Sequence, residues 1–296
     1  MSGKFMRAVA ARILVCDGAM GTELMNRGLE PGACPELWAL THRRALVDVH
    51  KSYVDAGADI LLTNSFGANR WKLEGYGLSD RVAELNVFSA SVAKEASRKG
   101  TFVVGDVGPT GRFVAPLGSD PAEAFVEIFA EQAAALAGAG VDAIALETFT
   151  ALDELLAAVE GARRTGLPVI ASMSFSPTKD GGYRTMMGNA AGDSARALDG
   201  AGADIISANC GVGADEYAGI ARALCSATRR PVMIEPNAGM PQLVNGRTVF
   251  PMSAEEIAAF VPAILAAGVR IIGGCCGTTS DHIRAIRRAV DKAQPS

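Results

Sequence analysis

Two adjacent thiols, Cys275-Cys276, sit in the segment Ile271-Ile272-Gly273-Gly274-Cys275-Cys276-Gly277-Thr278-Thr279, and a third, Cys210, follows another apolar run in Ile205-Ile206-Ser207-Ala208-Asn209-Cys210-Gly211. Brought together, three sulfurs meet the count of a zinc site with three protein ligands and an open fourth position. Gly273, Gly274 and Gly277 give the backbone the freedom to aim both neighbouring sulfurs one way. The spacing alone is not specific for zinc. Core filler or a strained vicinal disulfide are equally open readings of strand-end cysteines.

An all-sulfur site has a definite chemistry. Three thiolates on a divalent zinc leave about one net negative charge, so the ion polarises water poorly but leaves electron density on an incoming fourth thiolate. A free thiol with a pKa of about 8.5 is mostly protonated at neutral pH, and coordination removes that proton. Such a site activates sulfur for attack on an electrophilic carbon. Cys16 within a strand run, Cys34 in a loop without partners and Cys225 on a helix read as structural. His42, His50 and His282 all fall in predicted helices or their leading turns, which argues against a His-rich metal site or a His general base.

Two carboxylates suit an amino-acid substrate: Asp17, in Cys16-Asp17-Gly18-Ala19-Met20-Gly21-Thr22, and Glu147, in Ala145-Leu146-Glu147-Thr148-Phe149. They can hold an α-ammonium group while the backbone N–H groups of the turn from Gly18 through Ala19 and Met20 to Thr22 receive the carboxylate. A turn cap for Asp17 and a structural ion pair for Glu147 are the alternatives.

The elements that must gather these residues recur regularly. Short apolar runs over Ile13–Cys16, Asp59–Thr63, Phe102–Gly105, Ala143–Glu147, Pro168–Ser174, Asp204–Ala208, Pro231–Pro236 and Arg270–Gly274 alternate with amphipathic segments of helical period. Asp120-Pro121-Ala122-Glu123 places Pro at a first helical position, and Ser253-Ala254-Glu255-Glu256 is a capping-box pattern. Gly57, Gly140, Gly202 and Gly268 each stand where a helix stops before a strand. This alternation predicts a single-domain (β/α)8 barrel over residues 1–296. A doubly wound open sheet is the alternative; no GxGxxG follows the first strand and no Walker loop occurs. In a barrel, the strand-end residues Asp17, Asn64, Asp106, Glu147, Ser174, Asn209, Cys210, Glu235, Pro236, Asn237, Cys275 and Cys276 share one face.

With 49% hydrophobic residues the chain can bury a large core, and a net charge of -4 with scattered Lys and Arg offers no field for nucleic acid. No apolar stretch approaches the ~18 residues of a membrane helix, and Met1 to Arg12 lacks the apolar region and cleavage site of a signal peptide. A cytoplasmic protein with a small-molecule or protein partner, and with cysteines outside any disulfide framework, is expected.

At these residues the sequence resembles the homocysteine S-methyltransferase family, and within it the homocysteine-binding module of cobalamin-dependent methionine synthase. The likeness spans nearly the whole chain. It runs through Asp17 to Thr22, Thr63-Asn64-Ser65-Phe66-Gly67-Ala68-Asn69, Gly105-Asp106-Val107-Gly108-Pro109-Thr110-Gly111, Glu147-Thr148-Phe149, Asn209-Cys210, Glu235-Pro236-Asn237-Ala238-Gly239, Asn245-Gly246-Arg247-Thr248-Val249 and Gly274 to Thr279. The resemblance implies zinc on Cys210, Cys275 and Cys276 with homocysteine sulfur as fourth ligand, and Asn237 covering the open position without substrate. It also implies recognition of the homocysteine amino group by Asp17 and Glu147, with Asn209 among the substrate contacts and no dedicated protein base. The expected reaction forms methionine, the zinc-bound thiolate attacking a methyl group from methylcobalamin on a separate corrinoid protein. S-methylmethionine or S-adenosylmethionine used directly is the alternative donor, and a non-catalytic zinc- or thiol-sensing barrel is the alternative from another class. Betaine is not expected, since neither the stretch after Asn64 nor that after Glu147 offers a tyrosine for a quaternary ammonium.

Overall fold

The computed structural model describes residues 3–244 and 246–294, so Met1, Ser2, Asn245, Pro295 and Ser296 lie outside the described residues. Eight parallel strands form one sheet: β1 (Leu14–Val15), β2 (Ile60–Leu62), β3 (Phe102–Val107), β4 (Ala143–Phe149), β5 (Val169–Met173), β6 (Ile205–Gly213), β7 (Val232–Asn237) and β8 (Ile271–Ile272). Each strand pairs with its sequence neighbours, and β8 pairs with β1. The ring closes through a parallel bridge between Cys16 and Ile60, where Asp59 N–H donates to Val15 O at 2.7 Å and Asp17 N–H donates to Ile60 O at 3.0 Å. Closure leaves no sheet edge, which rules out the open doubly wound sheet.

Eight helices surround the barrel: α1 (Arg43–Ala56), α2 (Val82–Ala96), α3 (Ala122–Gly138), α4 (Leu152–Arg163), α5 (Ala191–Gly200), α6 (Ala214–Ala227), α7 (Ala254–Ala266) and α8 (Ser280–Ala293). Gly57, Gly140, Gly202 and Gly268 all take the left-handed conformation that turns a helix into the next strand. The expected capping box starts α7: Glu256 N–H donates to Ser253 Oγ at 3.3 Å and Ser253 N–H to Glu256 Oε2 at 2.7 Å. Pro121 is not the first helical residue of α3 as expected. Its ψ of 158° makes it the extended residue before the helix, which begins at Ala122.

Two apolar layers hold the molecule together. One lies between sheet and helices and gathers residues such as Val15, Leu61, Phe129, Ile144, Ile206 and Ile286. The other fills the barrel with Leu14, Cys16, Ile60, Val104, Ala143, Ala145, Ile170, Ile205, Met233 and Ile271. A helix over Lys4–Ala11 closes the strand-start end with Phe5 and Val9, and Phe5 meets Phe102 edge to face at 5.3 Å. Because side chains alternate along a strand, Val104, Ala145 and Met233 point into the barrel, and so, two residues on, do Asp106, Glu147 and Glu235. The interior thus changes from hydrocarbon to carboxylate within one step of the strand repeat.

The strand ends depart from the sequence-based bounds where the site begins. β6, expected to stop at Ala208, continues to Gly213 with a register irregularity between Asn209 and Gly213. β4 continues past Glu147 to Phe149 through a bulge. β8 is shorter than expected because Gly273 and Gly274 leave the sheet to begin the cysteine loop. Two hairpins that the periodicity did not reveal follow β5 and β7, pairing Ser176–Pro177 with Tyr183–Arg184 and Gln242–Val244 with Arg247–Val249. Among the described residues no helix is long and apolar enough to cross a membrane.

Candidate functional site

The structure brings Cys210, Cys275 and Cys276 together at the strand-end face, their sulfurs all within 4.8 Å of one another. Cys210 holds a φ of 59°, and its carbonyl accepts a hydrogen bond of 2.6 Å from Tyr217 Oη on α6. The Cys275-Cys276 loop is tied to β7 on both sides: Cys275 N–H donates to Pro236 O at 2.8 Å and Ala238 N–H donates to Cys276 O at 2.9 Å. Gly277 is required beside it, since its φ is +80° and a Cβ there would meet Phe250 Cγ at 2.1 Å.

The cluster passes a geometric test for a metal. Cys210 Sγ and Cys276 Sγ are 3.9 Å apart, against the ~2.05 Å of a disulfide. Tetrahedral ligands with zinc–sulfur bonds of ~2.3 Å stand about 3.8 Å from one another. All six cysteines are free. Hydrogen bonding to Cys275 and then Cys276 pulls the Cys210 thiol far below its ordinary range. The same sharing, first with Cys210, pushes Cys276 up to about 12 and Cys275 well upward. The trio therefore carries one negative charge readily and more only beside a cation. Asn237 stands at the tip of β7, and its buried Oδ1 has no partner, an acceptor free for such a cation.

The thiols open into a cavity of about 370 Å³. Five carboxyl groups line it, from Asp17, Glu36, Asp106, Glu147 and Glu235, and among the described residues no lining residue is Lys, Arg or His. Asp17 accepts from Leu62 N–H at 3.0 Å, and burial pushes its carboxyl well above the usual range. Burial, then the charge of Cys210, pushes Glu147 up to about 7. Asp106 and Glu235 are raised by burial and then by Glu147, and Asp106 Oδ1 has no partner. So many desolvated acids without a counter-charge make a site for cationic groups.

Of the residues expected at the site, Asp17, Gly18, Ala19, Met20, Asn64, Asp106, Glu147, Cys210, Glu235, Cys275 and Cys276 line the cavity. Asn209 is not among its walls; it is fully buried behind them. Ala19 N–H is already taken by Thr278 Oγ1 at 3.1 Å, leaving Gly18 and the first turn of the helix Met20–Asn26 at the wall. Cys34, expected to lack partners, lies 3.2 Å from Glu36 Oε2, and Glu36 in turn accepts from Gly67 N–H at 2.7 Å. Sequence reasoning missed Glu36, Phe250 and Tyr217, which reach the site from loops and a helix where periodicity assigns no role. The histidines stand away from it: His50 is buried in α1, and His282 bonds Met252 O at 3.0 Å.

Fold and site together define a (β/α)8 barrel that presents a three-thiol, metal-capable cluster to an acidic cavity. A family model described as homocysteine S-methyltransferase matches residues 14–290. The chain belongs to this family, whose members are methyltransferases acting on homocysteine. It is 32% identical to methionine synthase of Mycobacterium leprae over 96% of its length and 33% identical to that of Mycobacterium tuberculosis over 95%. It spans 25% of the length of each of these relatives. Among solved structures, the homocysteine methyltransferase MmuM from Escherichia coli in metallated form is similar at a TM-score of 0.78 and 26% identity, covering 96% of this chain and 99% of that one.

Proposed function

We propose that residues 1–296 form a homocysteine-binding barrel that methylates homocysteine to methionine, with zinc held by Cys210, Cys275 and Cys276. The observation that carries this reading is the convergence of three free thiols within 4.8 Å of one another at the edge of a cavity lined by acids. When bound, zinc supplies the charge that lets a substrate thiol shed its proton near neutral pH and remain nucleophilic. Asn237 Oδ1, buried and without a partner, would be the fourth ligand before substrate arrives. Asp17 and Glu147 hold the substrate ammonium, and the backbone at Gly18 and at Met20 in the first turn of the helix faces its carboxylate, the Ala19 N–H being held by Thr278. Glu147, at about 7, sheds its proton as the ammonium enters. No protein base is needed at the thiol.

The methyl group is read as coming from methylcobalamin on a separate corrinoid protein that docks over the strand-end face. The likeness to methionine synthases, of whose length the matching stretch is 25%, favours this reading over a small sulfonium donor. Direct use of S-methylmethionine or S-adenosylmethionine is the second reading, favoured by the near-complete mutual coverage with MmuM. Free thiols throughout suit a cytoplasmic setting.

The test pairs metal content with turnover. Cys210→Ala, Cys275→Ala and Cys276→Ala should each lose bound zinc and reduce methyl transfer to homocysteine by at least about 1000-fold. The donor panel is free methylcobalamin, a methylated corrinoid protein, S-methylmethionine and S-adenosylmethionine. Undiminished turnover in a zinc-free variant sinks the proposal.

A further inference from the structure

Two non-glycine residues among those described have a positive φ, Thr148 at 64° and Cys210 at 59°. For threonine, whose branched Cβ crowds the backbone, this conformation is strained and needs holding. Both follow residues of the site, Glu147 and Asn209, and the Asn209 side chain joins the two strand tips. Its Oδ1 accepts from Thr148 N–H at 2.9 Å and from Ser172 Oγ at 2.7 Å. Its Nδ2 donates to Thr148 Oγ1 at 2.7 Å and lies 3.4 Å from Glu147 Oε2 and 3.6 Å from Cys275 Sγ. The amide orientation is determined by this pattern, because reversal would set its oxygen against a carboxylate and a sulfur while opposing the Thr148 N–H with its nitrogen. Ser174 Oγ, just past the end of β5, holds the same residue by donating to Asn209 O at 2.8 Å.

One nitrogen thus stands between the carboxylate assigned to the substrate ammonium and a thiol assigned to the metal. We propose that Asn209 is a positioning residue that sets acceptor length. It fixes the separation of Glu147 from Cys275, so that the cavity takes a thiol amino acid with two methylenes between Cα and sulfur in preference to one with a single methylene. This rests on the functional reading above. Removing one methylene shortens the reach by roughly one carbon–carbon bond, ~1.5 Å. A rigid cross-brace registers that shift, and a loose one absorbs it. Asn209 lines no part of the cavity, so it acts through Glu147, Thr148 and Cys275 rather than by touching substrate.

The experiment compares dissociation constants for L-homocysteine and L-cysteine, by calorimetry on zinc-loaded protein, with zinc content measured on each sample. Wild type should favour homocysteine by about 10- to 100-fold, the usual worth of one methylene in a fitted site. Asn209→Ala should bring the ratio to within about 3-fold at unchanged zinc content, mainly by weakening homocysteine. Thr148→Gly keeps the left-handed backbone without strain while deleting the hydroxyl, so it carries the test if the Asn209 variant does not fold; it should narrow the ratio in the same direction. Thr148→Ser should preserve it. If both thiols weaken by one common factor in a zinc-replete variant, Asn209 is merely structural and the proposal is overturned. Wild type that holds zinc but binds neither thiol overturns the functional reading itself, and this one with it.

Discussion

The lower and upper halves of the barrel interior are built by the same strands yet obey opposite rules. Below, Val104, Ala145, Ile170, Met233 and Ile271 exclude water above the Phe5 plug that closes the strand-start end. Above, two residues further along three of those strands, stand Asp106 and Glu235, both buried, and Glu147, partly buried, none opposed by a basic side chain among the described residues that line the cavity. The lower half gains by burial, and the upper half gives up stability to keep acids dry and ready for a cation. The difference teaches where stability and chemistry reside in this chain. A strand need advance only one side-chain repeat to pass from one to the other.

Moving an acid one repeat down breaks the division most severely. Val104→Asp would place a carboxyl among Leu14, Ile60 and Ala145 with no partner. It should cost about 4 kcal/mol or more, enough to abolish most of the folded protein, as measured by urea unfolding and soluble yield. A modest loss would show that the lower interior admits water or a counter-ion, and the contrast between halves would fail.

A pH titration sharpens the contrast from the other side. A buried acid whose folded pKa lies above its unfolded value binds its proton more tightly in the folded state. Stability is then highest below the unfolded pKa and is lost as pH rises toward the folded one. For Glu147 that window runs from about 4.5 to about 7, and on the order of 2–3 kcal/mol should be lost across it in zinc-free protein. Glu147→Gln should remove its share of the slope in a thermal-unfolding series over this range. A flat wild-type profile would mean the acids are already neutralised within the barrel.

How much of this was legible in the sequence follows from the same geometry. The barrel was, because each strand and helix announces its own period and the glycine joints repeat. The three thiols were, because they end apolar runs whose strand numbers bring them to one face. Asn209 was not read as a brace, because its contacts depend on two irregular tips: the extra residues of β6 and the left-handed Thr148 on β4. The Cys34–Glu36 contact was hidden for a related reason, since a loop without periodicity gives no direction to its side chains. The sequence places the acids Asp106 and Glu235 at the rim but assigns them no role, since alternation alone cannot say that they meet in one cavity with no basic side chain among its described lining residues.

The smallest expected effect bears on which thiols belong to the upper site. Cys225 sits on α6, partly buried, and burial alone raises its thiol pKa. Its sulfur approaches no member of the cluster that could hold a metal. Replacing it with alanine removes one polarisable atom at the helix–helix layer, beside Gly268, so Cys225→Ala should change stability by no more than about 1 kcal/mol and leave zinc stoichiometry untouched. Metal analysis alongside a melting curve checks both. A loss of zinc here would mean that the metal reaches beyond the strand tips into the helical layer, and that thiol position along the strands does not separate structural from functional sulfur.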